Sequence, residues 1–234
     1  MRFRGYILPA VFGLWLLHGE FNVAIAGDAT PRVPPPAGFI DGAGLSERIR
    51  AMGLAGQTPA ARLVGMYYPT NALAEILRDG DTAPCPFCKA VLKEYETLSD
   101  AKKGFQILVK NAKKEGDSFD PNGAAMKRIF KHFEDAARKV EPSVSVKAGG
   151  ATILGTTLEK ENVFASCAIL NFKWANGQAQ VDMPFAVALS WLRIGKHQVE
   201  LGVLYPFRDA TSVTSANQKM LDWIAEIQKR NSQK

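Results

Sequence analysis

The chain has 234 residues, a 47% hydrophobic share, three cysteines and a formal net charge of +6. That is enough for one core-forming domain, or at most two small ones, with the composition of a globular protein. Its modest, mixed-sign charge excludes a nucleic-acid footprint, which would be denser and cleaner in sign.

The N-terminus reads as a secretory signal over residues 1–26. Arg2 and Arg4 form a positive n-region, Ile7 to Leu17 an apolar h-region, and Ala24-Ile25-Ala26 an A-x-A cleavage signal. The apolar run is shorter than the ~20 residues a membrane span needs, and Glu20 and Asn22 interrupt it. Cleavage after Ala26 would remove Arg2, Arg4 and Glu20 and leave a net charge of +5. No cysteine lies near the cleavage point to take a lipid, and no later stretch is apolar enough to span. The expectation is a soluble exported domain, periplasmic or extracellular.

Residues 27–38 (GDATPRVPPPAG) form a stiff, proline-rich arm that cannot build a core, read as a spacer or as an arm lying on the domain. One globular domain is expected over residues 39–230, with a frayed tail at 231–234. Ser46 caps a short helix that Gly53 ends. Residues 62–68 read as a strand stopped by Pro69, and Asn71 starts a short helix that Gly80 ends. Residues 89–97 fit either state: Val91, Tyr95 and Thr97 favour a strand, the Lys/Glu content a helix. Two helices follow, Asp100 to Lys114 and Pro121 to Val140. The second has an apolar stripe through Met126, Ile129, Phe130 and Phe133, and Asp120 as its cap.

After Gly149-Gly150 the pattern changes to residues 151–158, 162–173, 180–193 and 197–205, rich in Val, Ile, Thr, Phe and Trp and separated by short breaks. This predicts a four-stranded antiparallel meander. Successive apolar residues at Phe185 to Leu189 predict a central strand covered on both sides. A last helix is expected from Ser215 to Lys229, with Met220, Trp223, Ile224 and Ile227 apolar. Helices segregated from an antiparallel meander imply an α+β class, a layered sandwich with a mostly antiparallel sheet packed against helices.

Chemistry is concentrated in Cys85-Pro86-Phe87-Cys88-Lys89. A C-x-x-C beside a helix start can lower a thiol pKa. The motif resembles the thioredoxin and glutaredoxin active site, and Met183-Pro184 before a strand, a turn, a strand and a final helix resembles that family's cis-proline region. The resemblance implies that Cys85 attacks, Cys88 resolves and Pro184 shapes the substrate groove of a thiol–disulfide oxidoreductase. The other reading is a short-loop disulfide, or two thiols, in an exported protein. Cys167, alternating with Ala165 and Ile169, reads as a buried small hydrophobe.

His132 and His197 lack partners at metal-ligand spacing and read as solvated or structural. There is no G-x-S-x-G elbow, Walker loop or dinucleotide fingerprint, and Gly42-Ala43-Gly44 lacks the preceding strand that such a loop needs. Asp182 and Asp209 are carboxylates that a fold could pair. No cofactor and no metal is expected. Lys89 to Lys139 carries twelve Lys/Arg against eight Asp/Glu, a solvated basic face able to meet an anionic envelope surface weakly.

Across the whole exported chain, Pro36-Ala37-Gly38-Phe39, Tyr68-Pro69, the Gly195-Lys196 turn and the Trp223, Ile224, Ile227 helix resemble uncharacterised exported bacterial proteins with a layered, PsbP-like sandwich. That resemblance implies no site residues. The leading expectation is a non-enzymatic binding or accessory module whose partner is an envelope protein or ligand.

Overall fold

The computed structural model describes residues 30–54, 61–79, 85–117, 144–176 and 179–232. The segment read as a secretory signal, the helix expected over 121–140 and His132 lie outside these residues. In chain order the described elements are β1 (Phe39–Asp41), α1 (Glu47–Leu54), β2 (Ala61–Pro69), α2 (Thr70–Asp79) and β3 (Phe87–Glu94). They continue with α3 (Leu98–Asp117), β4 (Val144–Lys160), β5 (Val163–Asn176), β6 (Ala179–Ile194), β7 (His197–Pro206) and α4 (Ala210–Asn231).

All seven strands join one sheet in the order β1-β2-β3-β7-β6-β5-β4, and every neighbouring pair is antiparallel. With helices packed on it, the chain has the α+β class read from its pattern. The expected meander is present as β4-β5-β6-β7. Its last strand, β7, does not end the sheet but pairs along its length with β3, from Phe87↔Leu204 to Glu94↔His197. This pairing joins the two halves of the chain and places β3 and β7 in the middle.

Three differences from the sequence reading have local causes. The segment at 89–97 resolves to strand as far as Glu94 because both alternating faces of β3 are buried, so its lysines do not mark a solvent face. β4 starts at Val144 rather than 151. The glycine pair expected to break the chain is carried inside the strand, and register shifts at Gly150 and Gly155 use positive φ (131° and 114°) that only glycine adopts easily. α4 begins at Ala210 because Asp209 caps it, its carboxylate accepting from the Thr211 N–H at 2.8 Å.

The sheet has two covered faces. On one, Cys88, Ala90, Leu92, Val199, Leu201 and Val203 pack under Met220, Trp223, Ile224 and Ile227 of α4. Burying four such side chains contributes roughly 6–12 kcal/mol before entropy is counted. On the other, Phe105 and Leu108 of α3 pack on Phe164 and Trp191, whose rings stack with centroids 6.0 Å apart. A run of aromatic contacts, Tyr68–Phe87–Phe185–Phe172, continues across the sheet with centroids 6.2 to 6.3 Å apart. Among the described residues no helix is long and apolar enough to cross a membrane.

Candidate functional site

The proline-rich arm lies on the domain, along α4. Pro31, Pro34, Pro35 and Pro36 fix φ near −65° and hold the preceding residues extended, so the segment presents its carbonyls at regular intervals. Side chains of α4 collect them. The Trp223 indole N–H donates to the Pro34 carbonyl at 2.7 Å, and Lys219 Nζ to the Ala37 carbonyl at 2.9 Å. Asn231 makes a two-point clasp: its Nδ2 donates to the Arg32 carbonyl at 2.8 Å, and its Oδ1 accepts from the Arg32 N–H at 2.9 Å. Pro31 and Pro36 are buried, and Val33 packs against the core. Asn231 is thus a helical residue anchoring the arm, where the sequence suggested only a fraying end. A Trp, a Lys and an Asn along one flank of the helix were the available signal.

The C-x-x-C motif opens a strand rather than a helix. Cys85 is half-buried two residues before β3, and Cys88 is fully buried inside β3. Both are free thiols, as is the buried Cys167, whose Sγ lies 3.5 Å from Asn217 Oδ1. Burial pushes the Cys85 thiol up to about 11 and that of Cys167 also to about 11. Burial raises Cys88 further, against a small opposing pull from the Lys219 ammonium. The thiolate is the nucleophile, so these surroundings move all three thiols away from the reactive form. Pro184 lies in β6, two strands from β3 with β7 between, at the end of the sheet where β3 begins. Its carbonyl accepts from the Phe207 N–H at 2.8 Å. No cis peptide bond occurs among the described residues.

The lysine of the motif leads to a polar cluster that sequence reading missed. Lys89, Lys93, Gln198 and Glu200 are buried on the face of β3 and β7 opposite α4. Glu200 sits across from Val91, so Lys89 and Lys93 are its two diagonal neighbours on one face. Gln198 Nε2 donates to Glu200 Oε1 at 2.9 Å, and Tyr95 Oη donates to Gln198 Oε1 at 2.9 Å. Lys93 Nζ stands 5.1 Å above the Tyr95 ring. Gly104 of α3 lets the helix close on this tyrosine, since a Cβ there would come within 2.6 Å of Tyr95 Oη. Burial raises the Glu200 carboxyl to about 7, with Lys93 and the Gln198 hydrogen bond opposing. Burial also holds Lys89 well below, and Lys93 below, the ordinary ammonium range, with Glu200 opposing in each case. Perturbed groups of this kind mark functional sites as well as structural networks. Lys89 has no exposed surface, so a substrate does not reach it in this state.

The remaining expected residues are structural. His197 is buried at the start of β7, with Nε2 3.8 Å from Glu94 Oε1, which also binds Lys196 Nζ at 2.9 Å. Asp209 caps α4, while Asp182 is exposed on β6 opposite Lys173. Asp41, before the Gly42-Ala43-Gly44 loop, accepts from the N–H groups of Ala43 at 3.0 Å and Met66 at 3.2 Å. It lines an open cleft of about 450 Å³ with Arg50 and Arg62.

The two margins of the sheet are unequal. β1 pairs over three residues only, whereas the other margin, β4, runs for 17. From 148 to 158 β4 carries no charged residue, and Thr152, Leu154, Thr156 and Thr157 are exposed. Lys113 of α3 pins its end through Glu159 at 2.5 Å.

No family model matches the chain, and no curated protein matches it in sequence. Solved structures similar to it include a mutant of the protein Mog1, at 13% identity and TM-score 0.33, covering 85% of this chain and 86% of that one. Another is the Saccharomyces cerevisiae Ran-binding protein Mog1p, at 13% identity and TM-score 0.32, covering 85% of each chain.

Proposed function

We propose that this protein is an exported, non-enzymatic binding module of the cell envelope, periplasmic or extracellular, that takes a partner segment along the outer margin of β4, which pairs with no further strand among the described residues. The observation that carries the reading is the outer strand β4, uncharged from 148 to 158, with Leu154 48% exposed. Natural sheets blunt their edges with charge, proline or short strands, because an open row of N–H and C=O groups pairs readily with another chain. The β1 margin follows that rule; β4 is charged at Lys147, Glu159 and Lys160 and bulged in three places, but from 148 to 158 it carries neither charge nor proline. Strand addition supplies affinity through the main chain and specificity through alternate side chains. The Arg2, Arg4, Ile7–Leu17 and Ala24-Ile25-Ala26 pattern supports export.

A photo-crosslinking residue placed at Leu154 of the chain expressed in its own host tests this. A discrete crosslinked species is expected at Leu154, absent from the same probe at exposed Lys229 of α4, and lost when Thr152→Lys charges the edge. No species at Leu154, or the same species from both positions, would overturn the reading, provided the melting curve of each variant is unchanged.

A further inference from the structure

We propose that the outer groove of α4 is a recognition site for extended, proline-rich peptide segments, which the chain's own 30–38 arm fills at rest. The arm shows what the groove reads. Three helix side chains, Lys219, Trp223 and Asn231, donate to three carbonyls, and Asn231 also accepts one N–H. These four hydrogen bonds are to main chain, while buried Pro31 and Pro36 and the core-packed Val33 add side-chain contacts, so the groove reads an extended backbone with small apolar residues at those positions. Proline supplies that shape with little entropy left to lose.

The dimensions agree. Arg32 to Ala37 spans ~15 Å in a polyproline-type conformation, and Asn231 to Lys219 spans ~18 Å of helix. Trp223 is itself 2% exposed, packed edge-on against Tyr67 with centroids 5.5 Å apart. With the arm seated, the ring is held by Tyr67 and its N–H by the Pro34 carbonyl.

The arm joins the sheet through Gly38, whose φ is +81°, and among the described contacts it pairs with no strand. Residues 36–38 stay with the sheet, the Pro36 carbonyl accepting from the Phe39 N–H at 3.0 Å and the Gly38 carbonyl from the Thr70 N–H at 3.2 Å, so the part that can leave the groove is residues 30–35. A tethered arm acts at an effective concentration on the order of mM, so it excludes a weaker peptide and yields to a tighter one. The occupant argued for is a proline-rich segment of another protein.

The test uses the full chain with Pro34→Gly, Pro35→Gly and Pro36→Gly together, which loosens the arm. A fluorescein-labelled peptide of residues 30–38 (TPRVPPPAG) is followed by anisotropy. The loosened chain is expected to bind at least about tenfold more tightly than the wild type, whose site is filled. Asn231→Ala in that background should weaken binding about tenfold, and a TGRVGGGAG peptide should bind correspondingly worse. The proposal is overturned if the loosened chain melts cooperatively yet does not bind. It is also overturned if Asn231→Ala has no effect, if the glycine peptide binds equally well, or if the wild type binds as tightly as the loosened chain. An arm-exchanged dimer that excess peptide does not dissociate overturns it too, and assigns the groove to a second copy instead.

Discussion

Alternate residues along the β3–β7 pair lead into two interiors of different chemistry. Towards α4 the side chains are Cys88, Ala90, Leu92, Val199, Leu201 and Val203, and each contributes by the area it removes from water. Towards α3 they are Lys89, Lys93, Gln198 and Glu200, and each is tolerable only because of the others. The same backbone ladder carries both. An apolar layer loses stability in proportion to what is deleted. A charged layer depends on which partner is left behind.

The largest expected break is on the apolar side. Trp223→Ala removes the centre of the α4 contact and the donor to Pro34, and should cost about 4 kcal/mol in chemical denaturation. On the polar side, Glu200→Leu alone should cost about 3 kcal/mol, because two buried lysines lose their shared carboxylate. The triple change Lys89→Met, Lys93→Met and Glu200→Leu should recover most of that loss or exceed the wild type. If the triple variant is worse than the single one, the cluster is not a self-compensating charge set and the contrast between the faces fails.

The smallest effect is one of pH. The Glu200 carboxyl is raised to about 7 in the folded chain from an ordinary 4.5, so between these values the native state holds more protons than the unfolded one. Stability contributed by this group is therefore complete below about pH 4.5 and is lost as pH rises through 7. The lowered lysines act oppositely at higher pH, where the unfolded chain holds the extra protons. Urea midpoints for Glu200→Gln should show a flattened decline between pH 4.5 and 7. An unchanged decline would place the titration elsewhere.

Much of the fold was legible before any coordinates. The β-rich runs and short breaks after Gly150 marked the meander, the covered Phe185–Leu189 run marked an interior strand, and the Met220–Ile227 stripe marked the helix over it. The arm was legible from its prolines, one of its two readings being an arm on the domain. The polar cluster was not. Lys89 and Lys93 looked like part of a solvated basic stretch, and the residue that offsets them, Glu200, is more than a hundred positions away in sequence. The only local hint was that one alternate phase of β3 and β7 is apolar while the other carries Lys89, Lys93, Gln198 and Glu200. The seat of the arm was hidden for the same reason: Arg32 and Asn231 are 199 positions apart, and a terminal asparagine reads as fraying. Cys85-Pro86-Phe87-Cys88 carried two readings, and its place in the fold depended on a distant partner, since Phe87 and Cys88 go into the ladder with Leu204 and Val203.

The placement of β7 at the middle of the sheet has a consequence for how the molecule comes into being. Chains dominated by distant pairings fold slowly, because loop closure must precede the contacts that reward it. Here β1-β2-β3 and β4-β5-β6 can each form locally, but each keeps an open inner strand until β7 arrives between them. The arm, made first, has no seat until α4, made last, is in place. The centre of the structure is therefore the end of its assembly, and a chain truncated before residue 197 would be left as two half-sheets with nothing to join them.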